Sequence, residues 1–217
     1  MSRAVIFANG QLREAESVRK LIQEGDMLIA ADGGTRHALL LGLVPSVIVG
    51  DLDSLGEIEL RRLKDSGCRI LQHPRDKNET DFELALHYVL EEGYKHILVI
   101  GALGGRLDQT LGNLSVMASP QFADVEIIAD DGLERVMFTR RGLEIQGNPG
   151  DTISLLPWGG EVNGVTTTGL RWSLTNESLF VDKTRGISNE LVGENGSLSI
   201  TSGLLLVLQR RKQNLSL

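Results

Sequence analysis

The sequence predicts an α/β chain. Its first part is an N-terminal, doubly wound, mainly parallel sheet of Rossmann-like type, and a small C-terminal antiparallel β-sandwich follows. Three observations lead there. Short, nearly continuous apolar runs alternate with amphipathic stretches over residues 1–140, the pattern of strands covered on both faces by helices. Helical periodicity stops near Arg141, and strand-like runs separated by turn clusters fill residues 141–217. The 217 residues are 41% hydrophobic but only 4% aromatic, so a packed core rests on Val, Ile, Leu and Ala.

Each element follows from local pattern. The expected parallel strands are Ala4–Ala8, Met27–Ala31, Val47–Val49, Arg69–Leu71, His96–Ile100 and Val125–Ala129. Helices are expected near residues 13–24, 35–42, 56–66, 80–92 and 107–118. The clearest places Phe82, Ala85, Leu86, Val89 and Leu90 on one stripe. Thr80 with Glu83, and Ser54 with Glu57, have the spacing of capping boxes. In the second part, strands are expected at Thr152–Leu156, Glu161–Thr167, Ser178–Val181, Glu190–Val192, Ser197–Thr201 and Leu204–Leu208. Between them stand turn clusters such as Asn148-Pro149-Gly150 and Glu194-Asn195-Gly196. A sandwich this small is expected to dock or dimerise.

Charge is divided unevenly. Residues 1–140 hold 15 Lys and Arg against 22 Asp and Glu, whereas residues 141–217 hold 7 against 7. The net charge of −7 argues against a partner bound through nucleic-acid phosphates. The single cysteine, Cys68, excludes an internal disulfide and fits a reducing cytoplasm. No apolar stretch approaches the roughly 18 residues of a membrane span. The short apolar run after Met1-Ser2-Arg3 reads as a strand, not a signal peptide.

In an open parallel sheet, ligands bind beyond the carboxyl ends of the strands. After successive strands come Asn9-Gly10, Asp32-Gly33-Gly34-Thr35, Gly50-Asp51-Leu52-Asp53-Ser54, the segment Pro74 to Asp81, and Gly101 to Asp108. Asp32, Asp51, Asp53, Asp81 and Asp108 therefore converge on one edge. Carboxylates at this density repel one another unless a cation joins them, and hard oxygen ligands suit Mg²⁺. Asp51 and Asp53, two apart, point the same way if their segment is extended. Gly33, Gly34, Gly104 and Gly105 permit close backbone approach, and Arg106 has the fork that pairs with phosphate. Together these parts describe a site for Mg-nucleotide phosphoryl transfer.

Taken singly, each feature has a plainer alternative. Asp-Gly and Gly-Gly are ordinary turn chemistry, Asp81 suits a helix start, and Arg106 with Asp108 is a candidate surface ion pair. Neither a Walker A pattern nor a dinucleotide fingerprint occurs, which disfavours P-loop kinases and Rossmann dehydrogenases. His37, His73, His87 and His96 lack metal-ligand spacing, and no serine has nucleophile-elbow context.

On these residues the chain resembles the thiamine pyrophosphokinase family. The matching stretches are ADGGT (31–35), VGDLDSL (49–55), TDFELAL (80–86) and GALGGRLDQTLGN (101–113), then SLLPWGGEVNGVTTTGLRW (154–172) and RGISN (185–189). The resemblance implies an enzyme that moves the pyrophosphoryl group of ATP to the hydroxyl of thiamine, giving thiamine diphosphate and AMP. It implies an ATP- and Mg²⁺-binding catalytic domain over 1–140 and a thiamine-binding sandwich over 141–217. By resemblance Asp51, Asp53 and Asp81 hold Mg²⁺ and the triphosphate. Asp32, Arg106 and Asp108 line the same cleft, with Gly33, Gly34, Ser54, Gly104 and Gly105 around the nucleotide. Thr80 is a substrate-side contact, and Trp172, Ser188 and Asn189 form the thiamine side. The family is a homodimer holding thiamine between domains of different subunits. Trp172 also fits a core position, and Ser188-Asn189 a turn. One departure stands out: the family's Lys-Asp-x-Thr-Asp reads Lys77-Asn78-Glu79-Thr80-Asp81 here, so an acceptor remains but a charge is gone. That loss is the motive for one alternative, a non-catalytic thiamine or nucleotide sensor; a diphosphokinase acting on another alcohol, such as a pterin or a thiamine analogue, is a third reading.

Overall fold

The computed structural model describes residues 3–213. The chain forms two compact units, Met1–Gly132 and Leu133–Leu217. The first contains six strands: β1 (Ala4–Phe7), β2 (Met27–Ala31), β3 (Val47–Gly50), β4 (Arg69–Gln72), β5 (His96–Ile100) and β6 (Glu126–Asp130). They lie in the order β6-β5-β1-β2-β3-β4, and every neighbouring pair is parallel. β1 and β3 are buried at every position, which is why their sequences are unbroken apolar runs. β4, at the edge, exposes Arg69 and Gln72.

The helices of this unit are α1 (Ala15–Leu21), α2 (Thr35–Leu40), α3 (Glu57–Asp65), α4 (Asp81–Glu91) and α5 (Leu107–Met117). α4 packs against β1, β2 and β3 and buries Phe82, Ala85, Leu86 and Val89. A core cluster joins Val5, Phe7, Ile48, Leu98 and Ile100 of the sheet to Val18, Ala38 and Leu63 of the helices. Each such aliphatic side chain removed from water contributes about 1.5–3 kcal/mol.

The strand order reverses between β1 and β5, so the loops leaving those two strands diverge and open a crevice. One expected cap differs. Thr80 caps α4, its hydroxyl accepting from the Glu83 amide at 3.2 Å. Ser54 does not cap α3, whose N-cap is Gly56, because its hydroxyl is engaged elsewhere.

The second unit is two antiparallel layers. One has the order β12-β9-β14-β7, from β7 (Glu134–Thr139), β9 (Thr152–Pro157), β12 (Asn189–Glu190) and β14 (Leu205–Arg210). The other has the order β11-β10-β13-β8, from β8 (Gly142–Gln146), β10 (Val162–Thr168), β11 (Glu177–Leu179) and β13 (Asn195–Ser199). Ile153, Leu155, Leu205 and Val207 from the first layer pack with Ile145, Val162, Val165 and Leu198 from the second. The core is aliphatic, as the composition requires.

Two strands, β7 and β8, have no counterpart among the expected runs. Glu134-Arg135 and Arg140-Arg141 interrupt the apolar sequence there, yet Val136 and Thr139 of β7 and Ile145 of β8 are buried. β7 also belongs to the second unit, so that unit begins eight residues before the change of pattern at Arg141. Asn195-Gly196, expected as a turn, already belongs to β13, paired with Gln146 and Ile145.

Candidate active site

The site is built where β2, β3, β5 and the loop before α4 deliver polar residues to one edge of the first unit. After β2 the chain enters a short 3-10 turn, Asp32–Gly34, before α2. Asp32 adopts a positive φ of 39°, which an aspartate tolerates better than most residues. Its side chain is buried, and one carboxylate oxygen accepts from the Ser54 hydroxyl at 2.9 Å. Burial pushes the Asp32 carboxyl above its ordinary range. The charges of Asp81 and Asp51 push the same way, while the Ser54 hydroxyl and Gly33 amide oppose the rise.

Gly33 and Gly34 serve packing. A Cβ on Gly33 would collide with the Asn9 side chain, and one on Gly34 with the Phe7 carbonyl. Both glycines therefore let the turn lie against the end of β1, and neither lines the cleft described below.

β3 ends at Gly50, where three segments meet. A Cβ there would lie 2.9 Å from the Asp32 Cβ and 3.1 Å from the Asp81 carboxyl carbon. Asp51 follows, and its carboxylate accepts from the Asp53 amide at 3.2 Å. The segment is not extended: Leu52 sits in the left-handed region at φ 68° with its side chain buried. The two aspartates nonetheless converge, because this turn folds them back on each other. One oxygen from each of Asp32, Asp51 and Asp53 lies within 4.8 Å of the others.

The donor set suits Mg²⁺. All three ligands are hard carboxylate oxygens, and two ligands at Mg²⁺ distances are at most about 4.2 Å apart, so a small inward movement closes the group. Asp81 stands beside this group rather than in it. It opens α4 directly after the Thr80 cap, and its Oδ1 accepts from the Lys77 ammonium at 2.6 Å.

The far wall is the loop after β5. Gly104 and Gly105 have φ of 74° and 76°, and a Cβ on Gly105 would meet nothing within 4 Å, so its backbone faces open space. Buried Asn113 of α5 donates to the Ala102 carbonyl at 3.0 Å and steadies this loop. Arg106 forms a two-pronged pair with Asp108, at 3.1 and 2.6 Å. That pair holds the Asp108 carboxyl below its ordinary range and the Arg106 guanidinium above its own. Both side chains are mostly exposed, as the plainer alternative anticipated.

Between these walls lies a cleft of about 740 Å³. Asp32, Asp51, Thr80, Asp81, Gly104, Gly105 and Arg106 line it, whereas Asp53, Ser54 and Asp108 stand outside its lining. The sequence assigned no role to Gln11, Arg75, Lys77 or Gln109, which also line it. Their available signal was position, each falling in a loop or first helical turn that follows a parallel strand. Asn78 is exposed and outside the lining, so its missing charge removes no oxygen from the acidic group.

The second unit has its own hollow, of about 510 Å³, lined by Trp172, Leu174 and residues 184–189. Trp172 is 53% exposed and so is not core. The Arg171 guanidinium lies 5.2 Å from the indole centroid and bonds Glu190 at 3.2 Å. Asn189 is buried, and its amide makes three hydrogen bonds. Its oxygen accepts from the Trp172 amide at 3.1 Å and the Glu190 amide at 2.9 Å, and its nitrogen donates to the Trp172 carbonyl at 2.7 Å. Ser188 is left-handed at φ 60°, and its amide donates to the Ser154 hydroxyl. Trp172, Ser188 and Asn189 thus meet at one hollow, with Asn189 holding the tryptophan's backbone.

Known proteins share this pairing of an α/β unit with a β unit. The family model described as "Thiamin pyrophosphokinase, catalytic domain" matches residues 18–129, and "Thiamin pyrophosphokinase, vitamin B1 binding domain" matches residues 142–205. Thiamine pyrophosphokinase of Bacillus subtilis is 29% identical over 94% of this chain and 96% of its own length. Thiamine pyrophosphokinase 1 of Arabidopsis thaliana is 29% identical over 80% of this chain and 68% of its own. Among solved structures, the Bacillus subtilis thiamine pyrophosphokinase superposes with a TM-score of 0.86 at 26% identity, covering 98% of this chain and 100% of that one. The Geobacillus thermodenitrificans thiamin pyrophosphokinase gives 0.83 at 26%, covering 99% of both. With the catalytic family model alone spanning more than half of the sequence and Asp32, Asp51, Asp53 and Asp81 all inside it, this chain belongs to the thiamin pyrophosphokinase family.

Proposed function

We propose that this protein is a thiamine pyrophosphokinase, transferring the pyrophosphoryl group of ATP to the hydroxyl of thiamine and releasing AMP. The observation that carries the reading is the convergence of Asp32, Asp51 and Asp53 beside a cleft at the switch point of a parallel sheet, within the matched catalytic region. Asp51 and Asp53, joined by Asp32, offer the oxygens for Mg²⁺, and Asp81 flanks them. When bound, Mg²⁺ neutralises triphosphate charge and orients the phosphates. The backbone around Gly104 and Gly105 admits the phosphates closely. The Arg106 side chain is exposed and, among the described residues, is held by Asp108 alone, so it can exchange that partner for a phosphate oxygen. The thiamine hydroxyl oxygen bonds to the β-phosphorus in line as the bond from that phosphorus to the α–β bridging oxygen breaks. AMP leaves with that oxygen, and the hydroxyl proton passes to a carboxylate of this edge, for which Asp81 is the candidate. Trp172 presents a ring face to the thiazolium cation, and Ser188 lines the same hollow.

Active protein is a cytoplasmic homodimer in this reading. The neutral charge of residues 141–217, and the exposed Phe180, Val181, Ile187 and Val192, support association through the second unit. Among the described residues no helix is long and apolar enough to cross a membrane.

Incubation with ATP, Mg²⁺ and thiamine tests the activity through release of AMP and thiamine diphosphate in equal amounts. Tight thiamine binding with no AMP is the result that favours a sensor instead, and AMP released only with another alcohol is the result that favours a different acceptor.

A further inference from the structure

The cations around the cleft are not equivalent. Arg106 and Arg75 are 74% and 84% exposed, and each reaches an aspartate at the rim. Lys77 is different: its side chain is only 13% exposed, and its ammonium sits 2.6 Å from Asp81 Oδ1. Asp81 in turn abuts Gly50 at the point where Asp32 also approaches. Lys77 is therefore the inward positive charge against a wall of carboxylates. With no other cation present, an ammonium in this position relieves the repulsion among those carboxylates, and a divalent ion arriving beside Asp51 and Asp53 duplicates that service. A lysine has a flexible four-carbon stem and three donors that turn freely, so its head can change partners at little conformational cost.

We propose that Lys77 is a displaceable counterion: it neutralises Asp81 and competes with the divalent metal when nucleotide is absent, and moves its ammonium to the triphosphate when Mg-ATP enters. This rests on the nucleotide site described above and adds to it a positioning residue whose two partnerships have opposite consequences. Removing the lysine frees the carboxylate wall for the metal but strips the nucleotide of a cation. A lysine that merely props the loop would weaken both ligands together.

The test measures two affinities in the same protein without turnover. Mn²⁺ binding to nucleotide-free protein is followed by electron paramagnetic resonance, and binding of Mg²⁺ with α,β-methylene-ATP by calorimetry. For Lys77→Gln, Mn²⁺ should bind several-fold tighter, and the nucleotide analogue roughly ten- to a hundredfold weaker, the scale of losing a hydrogen bond between charged groups. Lys77→Arg retains the charge, so its Mn²⁺ affinity should stay near wild type. It also remains informative should Lys77→Gln fold poorly, because tighter Mn²⁺ binding by Lys77→Arg contradicts the counterion role. Both affinities falling together in Lys77→Gln, or neither changing, overturns the proposal while leaving the nucleotide site standing. A wild-type protein that binds Mn²⁺ but not the analogue overturns the nucleotide reading itself, and the proposal with it.

Discussion

Replacing Asn189 by alanine separates a clamp from a ligand contact. The wild-type amide makes three hydrogen bonds, at 3.1, 2.9 and 2.7 Å, to the backbone of Trp172 and Glu190. Each such bond contributes a net of about 0.5–1.5 kcal/mol. Trp172 is half exposed, so water recovers part of the loss, and a destabilisation of about 2 kcal/mol follows. With a urea m-value near 2 kcal/mol/M, the unfolding midpoint should fall by about 1 M. Urea titrations followed by circular dichroism measure the shift. The KM for thiamine should rise while that for ATP holds, because the cleft proposed for ATP is lined entirely by residues of the first unit. Asn189→Asp keeps the two acceptor contacts but turns an oxygen toward the Trp172 carbonyl, so it should not restore the midpoint. A midpoint within about 0.2 M of wild type, together with a raised thiamine KM, would refute the clamp and assign the amide to the ligand.

Other perturbations read the first unit. Asp53→Asn should lower AMP release at least about a hundredfold with an unchanged circular dichroism spectrum, since Asp53 is exposed; a folded, active variant removes Asp53 from the metal group. Gly34→Ala drives a methyl into the Phe7 carbonyl of a fully buried strand and should cost about 3 kcal/mol or more in urea unfolding; wild-type stability would show that β1 can yield. Asp32→Asn should stabilise the metal-free protein at neutral pH. Its carboxyl is held above the ordinary range chiefly by burial, so the native state binds the proton more tightly than the unfolded chain, and stability is lost as pH rises from the ordinary carboxylate range through the folded value. The advantage of Asp32→Asn should therefore shrink as pH falls back through that range, and an advantage independent of pH denies the burial effect.

The central parallel strands β1 and β3 were legible because they are buried on both faces, which forces an unbroken apolar run of about the strand's own length. β7 and β8 were not. Charged residues at Glu134, Arg135, Arg140 and Arg141 break the apolar run; β7 buries Val136 and Thr139, three apart, and β8 buries Ile145 alone between exposed Glu144 and Gln146, so neither offers a local period to read. Thr80 was legible as a cap because its partner, Glu83, is three residues away. Ser54 has the same spacing to Glu57, yet its hydroxyl bonds Asp32, 22 residues earlier, a competitor that no local window contains. Asp51 and Asp53 were legible as neighbours, but they converge through a left-handed Leu52, not an extended segment.

The order of amino acids alone carries the types of chemistry available: acids, glycines and Arg106 after parallel strands, and a tryptophan with Ser-Asn in a neutral sandwich. Those are properties of side chains and of local backbone preference, and they survive without a fold. Who partners whom comes from the fold. It put Asp32 with Asp51 and Asp53, set Lys77 against Asp81, turned Gly33 and Gly34 to packing, and gave Asn189 to the Trp172 backbone. Such pairings depend on distances between segments far apart in the chain, and packing of the core fixes those distances.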